Sequence, residues 1–225
     1  MPGRLAMFSC LAALSCVASL TGCGGDDSET TGSARPFAPQ ATLKAIGGTA
    51  RTDKPEIVLR VKARPRDENI RSVALNLPPV VLVDTTAIGR ICSRRELDAA
   101  GCRGHNRLGH ARAVSPAYDG ALAGPVYVVT GSGKLPGLVY LLSGPADVRL
   151  RGRVVSKGGR MQASVDDVPD TPLKSFQLTI EGGRSGYLVL SRNICGAEAV
   201  ADATFTSQDG QTHSEKIPLE ADCGA

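Results

Sequence analysis

Seven cysteines carry the clearest potential chemistry in this 225-residue chain. Four of them, Cys92, Cys102, Cys195 and Cys223, lie beyond an apolar N-terminal run, and an even number in an exported chain indicates two disulfide bonds. Three pairings are open, and proximity in sequence favours Cys92–Cys102 and Cys195–Cys223. A four-thiolate zinc site is the alternative, but the Cys-x9-Cys and Cys-x27-Cys spacings lack the short knuckles typical of structural zinc. No cofactor is therefore expected.

Another cysteine, Cys23, stands directly after the apolar run. It completes Leu20-Thr21-Gly22-Cys23, a Leu-x-small-Cys ending like that of a bacterial lipobox, and a small, polar, acidic segment follows it. We therefore expect residues 1–22 to be a lipoprotein signal peptide, Cys23 to carry lipid on its sulfur, and residues 23–40 to form a flexible tether. An ordinary secretory signal with an unrelated cysteine is the alternative.

A row of arginines, Arg149, Arg151 and Arg153, alternates with Val148, Leu150 and Gly152, so the three cations share one face of a predicted strand. The surrounding charge is uneven. Residues 86–160 carry twelve Lys or Arg and four Asp or Glu (net +8), whereas residues 161–225 carry four and ten (net −6). The row is a candidate site for an anionic envelope polymer or lipid headgroup. In the alternative interpretation, it is a solvated face whose arginines pair with the acidic C-terminal region.

Residues with catalytic potential are few and do not form a motif. His105 and His110 are separated by five positions, which places them on opposite faces of a strand, and His213 lies beyond a predicted turn. The acidic group at Asp166, Asp167 and Asp170 lacks the calcium-loop pattern and is assigned to a turn. The phosphate-loop and nucleophilic-serine patterns fail at Gly131–Lys134 and Gly183–Gly186. With no Trp and eight Phe or Tyr in all, the chain also has little with which to stack sugars or bases. Nucleic-acid binding is not expected.

Period-two alternation from Ala41 onward predicts strands that position these residues. In 57–63 every second residue is apolar, and Lys157-Gly158-Gly159 and Asp209-Gly210 predict hairpins. The single predicted helix follows Ser93-Arg94-Arg95-Glu96, a capping box, and ends at Gly101. The expected fold is all-β: an antiparallel β-sandwich-like region over 41–225 with one short helix and two disulfides, with a subdivision near 145 left open.

Several short motifs follow one another in an order that resembles a group of exported, β-rich surface proteins of high-GC Gram-positive bacteria. They depart from it at Val80, where the group has Gly, and at Arg192-Asn193-Ile194, where it has Asn-Pro. The resemblance implies an exported, β-rich protein and brings no established activity. The motifs are Leu77-Pro78-Pro79, Cys92 with Cys102, Asn106–Gly109, Gly124–Tyr127, Asp167-Val168-Pro169 before Phe176, and Ile194-Cys195 before Ala203–Thr206.

These observations predict a lipid-anchored protein of the cell envelope, outside the cytoplasm, with a non-catalytic structural or interaction role. Its expected partners are the membrane, through the lipid on Cys23, and an anionic envelope polymer or another surface protein. Two alternatives stay open: a binding lipoprotein that takes an anionic polymer or lipid on the arginine row, and an envelope hydrolase whose acids or histidines meet only in the folded chain.

Overall fold

The computed structural model describes residues 36–87, 91–105, 107–131, 135–196 and 198–224. Within these ranges the chain forms thirteen strands and one helix. The predicted signal peptide, Cys23 and the first part of the predicted tether lie outside the described residues. The elements are β1 (Gln40–Ile46), β2 (Glu56–Lys62), β3 (Ile70–Asn76), β4 (Val81–Val83), α1 (Arg94–Ala100), β5 (Arg107–Val114), β6 (Ala121–Val129), β7 (Gly137–Leu142), β8 (Val148–Lys157), β9 (Arg160–Val165), β10 (Ser175–Ile180), β11 (Leu188–Leu190), β12 (Val200–Ser207) and β13 (Thr212–Ala221).

The prediction of an all-β chain with one short helix and two disulfides is confirmed, whereas the sandwich is wrong. Eleven strands form one closed barrel in the order β1-β13-β12-β3-β9-β8-β7-β6-β5-β10-β2, and β4 and β11 form a separate two-stranded sheet. The sheet is also not wholly antiparallel, because β1 and β13 run parallel with Leu43 opposite Leu219.

Strand alternation alone could not separate the two architectures. A strand in a sandwich and a strand in a barrel both bury every second side chain. What distinguishes them here is that β1 pairs with β2 on one side and with β13 on the other. The second pairing joins the two ends of the folded chain, and local sequence contains no signal for a contact of that range.

The predicted hairpins are present. Lys157 pairs with Arg160 across Gly158 and Gly159, whose φ angles of 58° and 76° suit a two-residue turn. β12 and β13 pair from Val200 to Thr206 across the turn that contains Asp209-Gly210. At the suggested subdivision near 145, β7 and β8 pair with each other. Arg35–Ala225 forms a compact unit by itself that contains every element named above and both disulfides, so we expect it to fold independently.

The helix α1 has the predicted ends. Ser93 Oγ accepts a hydrogen bond from the N–H of Glu96, the Glu96 side chain accepts one from the N–H of Ser93, and Gly101 ends the helix in the left-handed conformation. Leu97 packs outside the barrel with Cys92, Cys102 and residues of β6 and β7. This small cluster is separate from the main core inside the barrel.

None of the helices in the described ranges has the length and apolar character that crossing a membrane requires.

Candidate functional site

The arginine row lies on the outer face of β8, as predicted. Arg149, Arg151 and Arg153 are exposed, whereas the alternating residues Val148, Leu150 and Gly152 are half-buried or buried. The row is not a continuous unpaired surface, however. Arg149 Nη1 lies 3.1 Å from Asp98 Oδ1 on α1, and Arg153 pairs with Asp166 after β9.

Only the central arginine of the row is free of such a pairing. Among the described residues, Arg151 has no side-chain hydrogen bond or ion pair partner. Arg151, Arg94 and Arg153 line a groove on the outside of the barrel. The groove also contains the exposed apolar side chains of Leu135 and Val155. Residues 132–134, which contain Lys134, lie outside the described residues.

The cysteines predicted to be bonded form two disulfides. Cys92 and Cys102 are bonded with their Cα atoms 5.6 Å apart, and the bond clamps the two ends of α1. Cys195 and Cys223 are bonded over the same Cα distance and link the segment before β12 to the segment after β13. Both pairings are those that proximity in sequence favours. The four sulfurs are therefore unavailable as zinc thiolates.

The histidines do not come together. His110 is exposed on β5, His213 is half-buried on β13, and His105 Nε2 lies 3.6 Å from Glu96 Oε1 beside α1. The sulfur of Cys92 lies close to this last pair and would complete a three-residue metal set. Because Cys92 is bonded to Cys102, its sulfur is not a thiolate, so only Glu96 and His105 of the set could bind a metal, which is fewer than the three protein ligands of a typical zinc site.

The acidic group after β9 is engaged in structural contacts. Asp166 pairs with Arg153, and Asp170 accepts a 2.7 Å hydrogen bond from Asn69 Nδ2. Gly183 and Gly186 form a tight turn closed by a 2.9 Å backbone hydrogen bond. Both segments therefore have the turn roles that the sequence favours.

An apolar cavity inside the barrel is the feature that sequence reasoning missed. Its volume is about 160 Å³, and it opens partly to solvent. Aliphatic side chains from eight strands form its walls, together with Tyr140 of β7 and Phe176 of β10. Of the described residues that line it, none is charged. The wall residues include Leu59, Val61, Leu75, Leu122, Leu150 and Leu178.

Eleven strands explain why the interior is not filled. An eight-stranded barrel is just wide enough for side chains to fill it or to hold one small ligand, and barrel diameter grows roughly linearly with strand number. Two of the inward-facing residues here, Ala113 and Ala163, are also small. Small residues at inward strand positions are the signal that could have indicated a cavity, but using it requires knowing that the sheet closes.

One end of the cavity is formed by loops. Ser115 and Tyr118 come from the β5–β6 connection, and Pro172 and Leu173 come from the β9–β10 connection. A second, more polar depression shares Pro172 and Leu173 with the cavity. It is lined by charged residues of the β2–β3 loop and by Lys174. The cavity is therefore uncharged in its interior, and the neighbouring depression is charged.

Tyr140 is the titratable group inside the cavity whose pKa is shifted. Its side chain is buried, its ring centroid lies 6.4 Å from that of Phe176, and burial raises its pKa to about 12. The hydroxyl therefore stays protonated over the physiological pH range.

The carboxyl groups with shifted pKa values do not line the cavity. Lys54, whose Nζ lies 2.5 Å from Asp84 Oδ2, and Thr86 hold the pKa of Asp84 well below its usual range. Burial raises the pKa of Glu215 on β13. In the described part of the chain, the cavity contains no pair of acids or bases of the kind that hydrolysis requires.

No protein-family model matches this chain, and no curated protein matches its sequence. One solved structure to which it is similar is a DUF4466 family protein from Parabacteroides merdae ATCC 43184, with 9% sequence identity and a TM-score of 0.34. The match covers 82% of this chain and 45% of the other, so this chain spans less than half of that protein's length. A TM-score of this size carries no argument about fold or function.

Proposed function

We propose that this chain is a lipid-anchored protein of the bacterial cell envelope that binds the apolar part of a ligand inside its barrel and performs no catalysis. The apolar cavity of about 160 Å³ is the observation that carries the proposal. The sequence analysis left open a binding lipoprotein that uses the arginine row. The proposed function is also binding, but the binding site is the barrel interior.

The size and polarity of the cavity support an apolar occupant. A dry cavity of roughly 150 Å³ lined by aliphatic and aromatic side chains is large enough for benzene. A hydrocarbon segment that leaves water for such a site gains about 0.8 kcal/mol for each CH2 buried. The cavity is partly open, which allows the rest of a longer acyl chain to extend outward.

The rim supports an amphiphile over a pure hydrocarbon. Arg66, Glu68 and Lys174 line the depression that shares Pro172 and Leu173 with the cavity, whereas the buried Asp67 carboxylate pairs with Arg64. Charged side chains of both signs can hold a polar headgroup in water while the chain lies in the apolar interior. Ligand binding of this kind requires no proton transfer, which agrees with the uncharged cavity wall.

The sequence supports the location. The Leu20–Cys23 ending is like a lipobox, and the order of motifs resembles exported surface proteins of high-GC Gram-positive bacteria. Two disulfides are typical of proteins outside the cytoplasm.

The other two interpretations have weaker support. Ion pairs engage two of the three arginines in the row, so an anionic polymer would have to compete with Asp98 and Asp166. The hydrolase interpretation requires titratable groups that converge in a cleft, and the described cavity wall lacks them.

Binding of small apolar probes to the Ala34–Ala225 fragment tests the proposal. We expect benzene to shift the NMR methyl signals of Leu75 and Leu150 in a saturable manner. Ala163→Leu places three more carbon atoms in the cavity and should weaken binding about tenfold, which is roughly 1.4 kcal/mol. Ala123→Leu, on the exposed face of β6, is the matched control and should leave binding unchanged. If wild-type methyl signals do not respond to the probe, the proposed function is wrong.

The anchor is tested separately. Cys23→Ser should abolish membrane retention and palmitate labelling of the full chain, because the lipid requires the cysteine sulfur. Detergent partitioning of labelled cells measures both effects. An unlabelled wild-type chain would contradict the proposed anchor without affecting the cavity.

A further inference from the structure

Tyr140 places a polar group within the apolar cavity. Its side chain lines the cavity wall, and only 4% of the residue surface is exposed. Within the described ranges its hydroxyl makes no hydrogen bond. The hydroxyl oxygen is not one of the fully enclosed side-chain atoms that lack a partner, so it keeps some accessible surface. Tyrosine hydroxyls in apolar surroundings usually have a hydrogen-bond partner. A ligand atom in the cavity can be that partner.

The hydroxyl is available as a donor. Burial raises the pKa of Tyr140 to about 12, so the proton is retained well above neutral pH. Phe176 provides an aromatic neighbour at a centroid distance of 6.4 Å, and this contact does not use the hydroxyl. The group can donate one hydrogen bond and also accept one.

Other polar groups of the wall limit what the ligand can carry. Ser115 Oγ already accepts a 3.0 Å hydrogen bond from the N–H of Ala117. Tyr118, Ser164 and Thr171 are the other wall residues with a hydroxyl group, and Ser164 lies opposite the outward-facing Arg153. No wall residue in the described part of the chain is charged. A charged ligand group in this interior would have no counterion and would lose its hydration. The ligand atom near Tyr140 is therefore uncharged.

We propose that the Tyr140 hydroxyl donates a hydrogen bond to a carbonyl oxygen of the ligand, and that the ligand class is an acyl ester whose hydrocarbon chain lies in the cavity. An ester carbonyl is uncharged, accepts one hydrogen bond well and occurs at the end of an acyl chain. This inference rests on the proposed function, because it specifies which apolar ligands the cavity prefers.

Two probes with the same number of non-hydrogen atoms, ethyl butanoate and n-octane, separate the ester from the hydrocarbon contribution. Affinities are measured by NMR titration of the Ala34–Ala225 fragment. We expect Tyr140→Phe to weaken ethyl butanoate binding about three- to tenfold, the range of one neutral hydrogen bond, and to leave n-octane binding within about twofold. Removing an unpartnered hydroxyl should not impair folding.

Tyr127→Phe is the matched control, because Tyr127 is buried in the small cluster outside the barrel and does not line the cavity. It should change neither affinity. If both probes bind the wild type and Tyr140→Phe affects them equally, the role of Tyr140 is wrong and the proposed function stands. If neither probe binds the wild type, the proposed function itself is wrong. If Tyr118→Phe and not Tyr140→Phe lowers ester binding, the hydrogen bond is assigned to the wrong residue.

Discussion

Gly152 on β8 lies against the ring of Tyr140 on β7. A methyl group at Gly152 would stand 3.5 Å from Tyr140 Cε2 and 3.2 Å from both Leu138 Cβ and the Ser164 carbonyl oxygen. The missing side chain thus allows the Tyr140 ring to lie close to the backbone of the neighbouring strand. Gly152 faces the inside of the barrel, whereas its two neighbours on β8, Arg151 and Arg153, are exposed.

Gly152→Val should therefore destabilise the barrel despite the high strand propensity of valine. The added Cβ would lie tightly against Leu138 Cβ and the Ser164 carbonyl oxygen, and the two methyl groups of valine add further bulk. We therefore expect a loss of about 2 kcal/mol in the free energy of unfolding. Urea denaturation measures it. Ser156→Val, on an exposed position of the same strand, is the control and should change the free energy by less than about 0.5 kcal/mol. Equal stability of the two variants would show that Gly152 is not closely packed.

Much of the local structure could be predicted from the sequence because its causes are local. The capping box at Ser93 and Glu96, Gly101 at the helix end, and the Gly158-Gly159 turn each depend on neighbouring residues. The alternation of Arg149 to Arg153 likewise gives the exposed face correctly, since strand geometry sets it.

The closed sheet and its cavity could not be predicted, because they depend on contacts between residues far apart in the sequence. Closure depends on Leu43 pairing with Leu219, two residues almost at opposite ends of the folded chain. Whether Ala113 and Ala163 line a cavity or pack against a second sheet depends on that closure. The ion pairs that engage Arg149 and Arg153 are also long-range contacts, so the sequence left the state of the arginine row open.

Arg160 should be a structural arginine that lysine cannot replace. Its guanidinium donates to the carbonyl oxygens of Leu77 at 2.8 Å and Val200 at 2.9 Å and pairs with Asp202, which ties β9 to the strands beyond it. Lysine cannot reproduce this planar arrangement of donors. We expect Arg160→Lys to lower the free energy of unfolding by about 2 kcal/mol.

Arg151→Lys is the comparison for Arg160→Lys, because Arg151 is exposed on the adjacent strand and has no side-chain partner in the described part of the chain. It should cost less than about 0.5 kcal/mol. Chemical denaturation of both variants under the same conditions measures the difference. Similar losses in the two would contradict a structural role for the Arg160 hydrogen bonds.

The Cys92–Cys102 disulfide should hold α1 in place. An isolated helix of two turns is unstable in water, and the bond restricts a short loop of the unfolded chain. Cys92→Ala with Cys102→Ala should lower the free energy of unfolding by about 3 kcal/mol. Hydrogen exchange of the Gly101 N–H, which donates to the Leu97 carbonyl, should accelerate.

A matched variant replaces Cys195 and Cys223 with alanine. This bond lies away from α1, so exchange at Gly101 should remain slow even if global stability falls by a similar amount. The contrast separates a local effect on the helix from a general loss of stability. Unchanged exchange at Gly101 in the first variant would mean that packing of Leu97 alone holds the helix.

Glu215 should make the stability of the barrel depend on pH. The carboxyl is half-buried, and its Oε1 has no hydrogen-bond partner in the described structure. Burial raises its pKa above the ordinary value of 4.5, against the opposing effects of the Ala41 N–H and of His213. The folded state therefore favours the protonated form. This contribution is complete below pH 4.5 and is lost as pH rises through the raised pKa.

Glu215→Gln removes that ionisation and keeps an oxygen that can accept from the Ala41 N–H. The variant should gain stability relative to the wild type as pH rises from 4 to 7, because only the wild type must then carry a half-buried charge. Thermal unfolding across this range measures the difference in Tm. Glu220→Gln removes one negative charge from an exposed position of the same strand and is the matched control. If Tm changes with pH in parallel for Glu215→Gln and the wild type, the charge on Glu215 does not destabilise the folded chain, and the prediction is wrong.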